Sequence, residues 1–98
     1  MTQGEHHHRS VRVRIDGRVQ GVGFRYWTER VARGLELAGW VRNRRDGSVE
    51  ALFSGPAEQV GEMLDRTHEG PAGAVVTSVR IVEESGDPPH GFDVLPTV

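Results

Sequence analysis

The residues best suited to chemistry run from 17 to 25, Gly-Arg-Val-Gln-Gly-Val-Gly-Phe-Arg. Glycines at 17, 21 and 23 let a backbone turn through positive φ, so that successive N–H groups can point inward. A helix beginning where the run ends adds the partial positive charge of its N-terminus. Arg25 falls in that first turn and brings a planar guanidinium fork able to engage two oxygens of a phosphoryl group at once. The combination describes an anion cradle, although a glycine loop alone is more often a plain connector.

The chemistry available elsewhere is narrow. The chain has no cysteine, which removes thiol catalysis, zinc thiolates and disulfides and fits a reducing compartment. All twelve basic side chains are arginine, so neither a Schiff-base lysine nor a lysine-dependent nucleotide loop can exist. Residues 1–49 hold ten arginines against five acids, and residues 50–98 two against nine, so an anion is drawn to the first half. Most of those arginines can equally be a solvated face. His6, His7 and His8 are adjacent on a polar stretch, and adjacent residues of a flexible chain do not make a preformed metal site. No metal or cofactor is expected. Asn43 by itself is an ordinary strand-end or turn residue, and Trp27 and Trp40 are expected to pack in the core.

These residues must be held by surrounding elements. A chain of 98 residues suffices for one domain, and by size scaling buries about two-thirds of its unfolded surface. Residues 1–10 are expected to be a disordered N-terminal tail and 11–98 the domain. Val11, Val13 and Ile15 alternate with Arg12, Arg14 and Asp16, the pattern of a strand with one buried face. Phe24, Trp27, Val31 and Leu35 then recur at helical spacing, predicting a helix from Phe24 to Gly34. Gly39–Arg44 and Ser48–Ser54 read as strands joined by the turn Arg45-Asp46-Gly47. Pro56, suited to a first helical position, opens a second helix with Val60, Met63, Leu64 and Thr67 inward. Val75–Glu84 is a further strand, and Gly91–Val94 a candidate short fifth one.

The order strand, helix, strand, strand, helix, strand is the α+β ferredoxin-like βαββαβ arrangement: an antiparallel sheet with both helices on one face, in two layers. In it the first two strands run the same way. The end of the second, at Asn43, therefore lies beside the Gly17–Arg25 loop.

With that placement the sequence resembles the acylphosphatases. The likeness rests on GRVQGVGFR at 17–25, on Gly39-Trp40-Val41-Arg42-Asn43, and on Gly47, Val49 and Gly55 at their spacings, and it extends over about residues 11–95. It implies a small enzyme that hydrolyses the carboxyl–phosphate bond of acyl phosphates to a carboxylate and inorganic phosphate, without a metal. It also implies that Arg25 binds the phosphate, that Asn43 orients the attacking water, and that the backbone of Gln20, Gly21, Val22, Gly23 and Phe24 lines the cradle. Expected partners are an acyl phosphate and inorganic phosphate as product and inhibitor, with no nucleic acid and no membrane. A cytoplasmic monomer is the expected setting.

The residues suit that chemistry. A carboxylate departs without a general acid, so positioning and charge stabilisation do most of the work. Asn43 offers a donor and an acceptor for a water, but an amide is not a base. The water's proton is expected to pass to the phosphate itself; Asp46 and Glu50, read as solvent-exposed and outside the cradle, are not expected to take it. Two other classes fit the same fold: a nucleic-acid-binding sheet, and a regulatory domain or free copy of the acylphosphatase-like domain of larger carbamoyl-transfer maturation proteins. Hydrolysis of a simple acyl phosphate separates them.

Overall fold

The computed structural model describes residues 7–84 and 89–98. Its elements are β1 (His8–Arg18), α1 (Phe24–Gly34), β2 (Ala38–Asn43), β3 (Val49–Pro56), α2 (Ala57–Glu69), β4 (Val75–Glu84) and β5 (Phe92–Val94). They form one five-stranded sheet in the order β4-β1-β3-β2-β5. The four strands of the split crossover pair antiparallel, as the element order predicts. β5 adds to the β2 edge in parallel, through Gly39↔Phe92 to Val41↔Val94, so the complete sheet is mixed rather than antiparallel.

Strand alternation builds the core. Val11, Val13 and Ile15 of β1, Val41 of β2, and Val49, Ala51 and Phe53 of β3 are fully buried on one side, and across β1 and β3 they stand directly opposite one another. Burying side chains of this kind contributes about 1.5–3 kcal/mol for each large one. Phe24 and Ala32 of α1 and Val60 and Met63 of α2 close the layer from above. The buried stripe of α1 is Phe24, Thr28 and Ala32, with Trp27, Val31 and Leu35 half-buried along its flank. The small residues let the helix approach the sheet closely and leave the larger ones to fill the margin.

Several boundaries differ from the sequence reading: β2 spans Ala38–Asn43 and β3 Val49–Pro56, against the expected Gly39–Arg44 and Ser48–Ser54, and the starts of β1 and α2 differ for evident reasons. β1 starts at His8 rather than Val11: His8, Arg9 and Ser10, assigned to the tail, pair with Pro56, Gly55 and Ser54. Polar cross-strand contacts hold them there, with the Ser10 and Ser54 hydroxyls 2.6 Å apart and His8 Nε2 3.1 Å from Ser54 Oγ. His6 and the rest of the expected tail, residues 1–6, lie outside the described residues. Pro56 is the N-cap of α2, with φ −58° and ψ 139°, and not its first helical residue.

The open face of the sheet is a lattice of ion pairs. Glu50, expected at the surface, is buried at its centre, with its side chain 3% exposed. Arg12 and Glu50 are 2.7 Å apart, Arg42 and Glu50 2.9 Å, and Arg44 and Glu50 2.8 Å. Arg42 also lies over the Trp40 ring, 4.8 Å from its centroid. Trp40 alternates with buried Val41 and pairs with Leu52, so it stands on this open face, half-buried, and not in the core. Among the described residues no helix is long and apolar enough to cross a membrane.

Candidate active site

The loop that follows β1 begins with a forced bend. β1 pairs with β3 only as far as Ile15↔Val49, while its pairing with β4 continues to Arg18↔Val75 after a register shift between Asp16 and Gly17. Gly17, at φ 125°, lies so close to β4 that a Cβ there would overlap the Val75 carbonyl oxygen and stand 2.8 Å from the Thr77 nitrogen. Its role is close approach between strands. Gly21 and Gly23, at φ 78° and 77°, are different: a Cβ at either would have no protein atom within 4 Å. The loop there curls through the left-handed region around open space.

Gly23 is the N-cap of α1 and caps it with no side chain. The first backbone hydrogen bond of the helix runs from the Trp27 N–H to the Gly23 carbonyl, 3.0 Å. Among the described residues the N–H groups of Phe24, Arg25 and Tyr26 thus have no protein acceptor, and no acidic side chain stands in the first turn. Unsatisfied N–H groups and the helix dipole both favour an anion there. Arg25 is half-buried, with its guanidinium 5.6 Å from the centroid of the exposed Tyr26 ring. Arg12, Arg14, Arg42, Arg44 and Arg80 are each paired with a carboxylate, whereas Arg25 has no carboxylate partner among the described residues.

Asn43 ends β2. It pairs with buried Val49 and shares by alternation the face of Val41, the side on which the helices pack. Its backbone carbonyl accepts from the Val98 N–H at 3.2 Å. Its side-chain oxygen Oδ1 is buried with no hydrogen-bond partner. A buried amide oxygen left unpaired costs about 1–3 kcal/mol, and a water or ligand group that donates to it removes that cost.

The β2–β3 connection is tight. Arg44 N–H donates to the Ser48 carbonyl at 2.9 Å, and Gly47 N–H to the Arg44 carbonyl at 3.1 Å. Asp46 Oδ1 accepts from the Ser48 N–H (2.9 Å) and hydroxyl (2.6 Å), and Oδ2 stands 3.4 Å from Arg14. The Ser48 hydroxyl and N–H, assisted by Arg14 and Arg44, hold the Asp46 carboxyl below the usual carboxylate range. Burial pushes the Glu50 carboxyl up, but its hydrogen bonds from Arg42, Arg12 and Arg44 outweigh burial and leave it lowered. Neither carboxylate is disposed as a base.

The two predicted segments meet through Gln20. Its side-chain Nε2 donates to the carbonyl oxygens of Arg44 (2.7 Å) and Ser48 (2.8 Å), fastening the loop to the turn that follows Asn43. The sequence reading gave Gln20 a backbone role in the cradle and did not foresee this use of its side chain. A groove of about 490 Å³ lies elsewhere, between α1 and α2, lined by Trp27, Val31 and the acids Glu62, Asp65 and Glu69 beside Arg66. Its carboxylates repel a phosphoryl group, and the cradle is the better candidate on charge.

The acylphosphatase family model matches residues 11–94. The acylphosphatase of Nitrobacter hamburgensis is 56% identical over 90 residues, spanning 86% of this chain and 91% of that protein. The crystal structure of acylphosphatase from Bacillus subtilis superposes with a TM-score of 0.83 at 37% identity, covering 91% of this chain and 99% of that one. An acylphosphatase structure from Coxiella burnetii gives 0.86 at 34% identity, covering 97% and 100%.

Proposed function

Because the chain belongs to the acylphosphatase family, and is thus a hydrolase of phosphorus-containing acid anhydrides acting on small acyl phosphates, we propose that Arg25 binds the phosphoryl group and Asn43 orients the water that attacks it. The N–H groups of the Gln20–Phe24 loop and of the first turn of α1 share the charge of the equatorial oxygens with the Arg25 fork. The observation that carries this reading is the buried, unpartnered Oδ1 of Asn43 at the strand end fastened to the loop. An oxygen there can accept one proton of a water and leave a lone pair of that water directed at phosphorus.

The water attacks phosphorus as the bond from phosphorus to the carboxylate oxygen breaks. The carboxylate leaves with the electron pair of that bond, and the water's second proton passes to a phosphoryl oxygen. Asp46 and Glu50 take no part, since Ser48 occupies the one and three arginines the other. Inorganic phosphate occupies the same cradle and so competes with substrate. We take the enzyme to act as a monomer in the cytoplasm, a reducing compartment that suits a chain without cysteine.

The test is hydrolysis of an acyl phosphate at neutral pH with and without excess chelator, against a phosphate monoester. The expected result is a chelator-insensitive rate on the acyl phosphate and little on the monoester, whose alkoxide leaving group needs an acid that the site lacks. Equal rates on both substrates, or loss of rate with chelator, contradict it.

A further inference from the structure

We infer that Gln20 is a positioning residue that sets the distance between the phosphate loop and Asn43, an inference resting on the roles proposed above for Arg25 and Asn43. The backbone ladder between β1 and β3 stops at Ile15↔Val49, so beyond it no strand pairing joins the loop to the β2–β3 turn. The loop then passes through Gly21 and Gly23, whose left-handed backbone is supported by no neighbouring atoms at the Cβ position. Among the described residues, the side-chain hydrogen bonds across this gap are those of Gln20 to Arg44 and Ser48.

These two bonds are additional to the needs of the turn. The Ser48 carbonyl already accepts from the Arg44 N–H, and the Arg44 carbonyl from the Gly47 N–H. Each carbonyl uses its second lone pair for Gln20. Removing the amide therefore leaves no orphaned carbonyl, and the hairpin keeps its own bonds. The amide orientation is also determined, because a flipped Gln20 would set Oε1 against two carbonyl oxygens. What the pair of bonds adds is relative position: Arg44 and Asn43 are consecutive, so the clamp holds Asn43 in a defined place relative to the cradle. Catalysis by orientation is sensitive to that place, since a displacement of about 1 Å can cost on the order of 100-fold.

The experiment compares Gln20→Met and Gln20→Leu, neither of which carries a donor or a charge, in the wild-type and Asn43→Ala backgrounds. The readouts are kcat, KM and the dissociation constant of inorganic phosphate. Both variants should lower kcat on the order of 10-fold with phosphate affinity within about 2-fold of wild type, because the loop and Arg25 remain. In the Asn43→Ala background the same substitutions should change kcat by less than about 2-fold, as for two residues acting through one water. Wild-type kcat in Gln20→Met, or an equal fractional loss in both backgrounds, overturns the inference alone. Full activity in Asn43→Ala overturns both it and the reading on which it rests.

Discussion

Alanine at Gly17 and alanine at Gly23 should have opposite consequences in two assays. At Gly23 the added methyl meets no protein atom within 4 Å, so the cost to the fold is the left-handed backbone alone, about 1 kcal/mol. At Gly17 the backbone penalty at φ 125° is joined by overlap with the Val75 carbonyl and a 2.8 Å approach to the Thr77 nitrogen. Neither backbone atom can turn away as a side chain could, so β1 and β4 must separate or shift register. Strain of about 1–3 kcal/mol and overpacking of similar size give a total of about 4 kcal/mol. For a chain of this length the melting temperature should fall by about 5 °C in Gly23→Ala and by at least about 15 °C in Gly17→Ala. Initial rates normalised to the folded fraction should reverse the order. The methyl at 23 stands on the N-cap from which the proposed cradle is built, whereas Gly17 packs against β4, so its cost falls mainly on the fold. Greater destabilisation in Gly23→Ala, or a larger loss per folded molecule in Gly17→Ala, would refute the separation of a packing glycine from a cradle glycine.

Two further predictions concern the carboxylates. Glu50 has a lowered folded-state pKa, so its stabilisation is present above its ordinary value of 4.5 and is lost as pH falls through the lower folded value. Glu50→Gln should therefore be about 3 kcal/mol less stable than wild type at pH 7, and the gap should narrow on acidification below about pH 4.5; a pH-independent gap in urea unfolding contradicts the ion-pair account. Asp46→Asn keeps an acceptor for Ser48 and should retain activity within about 2-fold of wild type; a large loss in kcat would identify Asp46 as the missing base.

The elements that place the site were legible because each depends on a local pattern. Alternation in Val11–Asp16 and helical spacing in Phe24–Gly34 mark one buried face each, and the observed bounds of α1 coincide with the expected ones. Asn43 could be placed beside the loop from topology alone, since parallel β1 and β2 put their ends on one edge. Features that depend on register were not legible. Glu50 looks like any outward strand residue until β3 is seen between Arg14 on one side and Arg42 on the other. Trp40 is apolar enough for a core, yet its phase relative to Val41 sends it to the open face beneath Arg42.

Polarity misled at the N-terminal end of β1, where Ser10 is buried against Ser54 and the exposed His8 also hydrogen-bonds to Ser54. Pro56 satisfied the φ of a first helical residue and of an N-cap equally, and only its extended ψ distinguishes them. The side chain of Gln20 was beyond sequence reading for a related reason. Its two acceptors are backbone carbonyls, which leave no residue-type signature.

The division of labour between Arg25 and Asn43 is tested most directly by phosphate stabilisation of their alanine variants. Inorganic phosphate at about ten times its dissociation constant should add roughly 1.4 kcal/mol to the wild-type fold, a melting shift on the order of 5 °C at matched ionic strength. Arg25→Ala should lose both the shift and the activity, and Arg25→Lys should recover little, because an ammonium lacks the fork. Asn43→Ala should lose on the order of 100-fold or more in kcat while keeping the shift. If Asn43→Ala instead loses phosphate stabilisation as completely as Arg25→Ala, Asn43 is a phosphate ligand and its role as orienter of the attacking water is wrong.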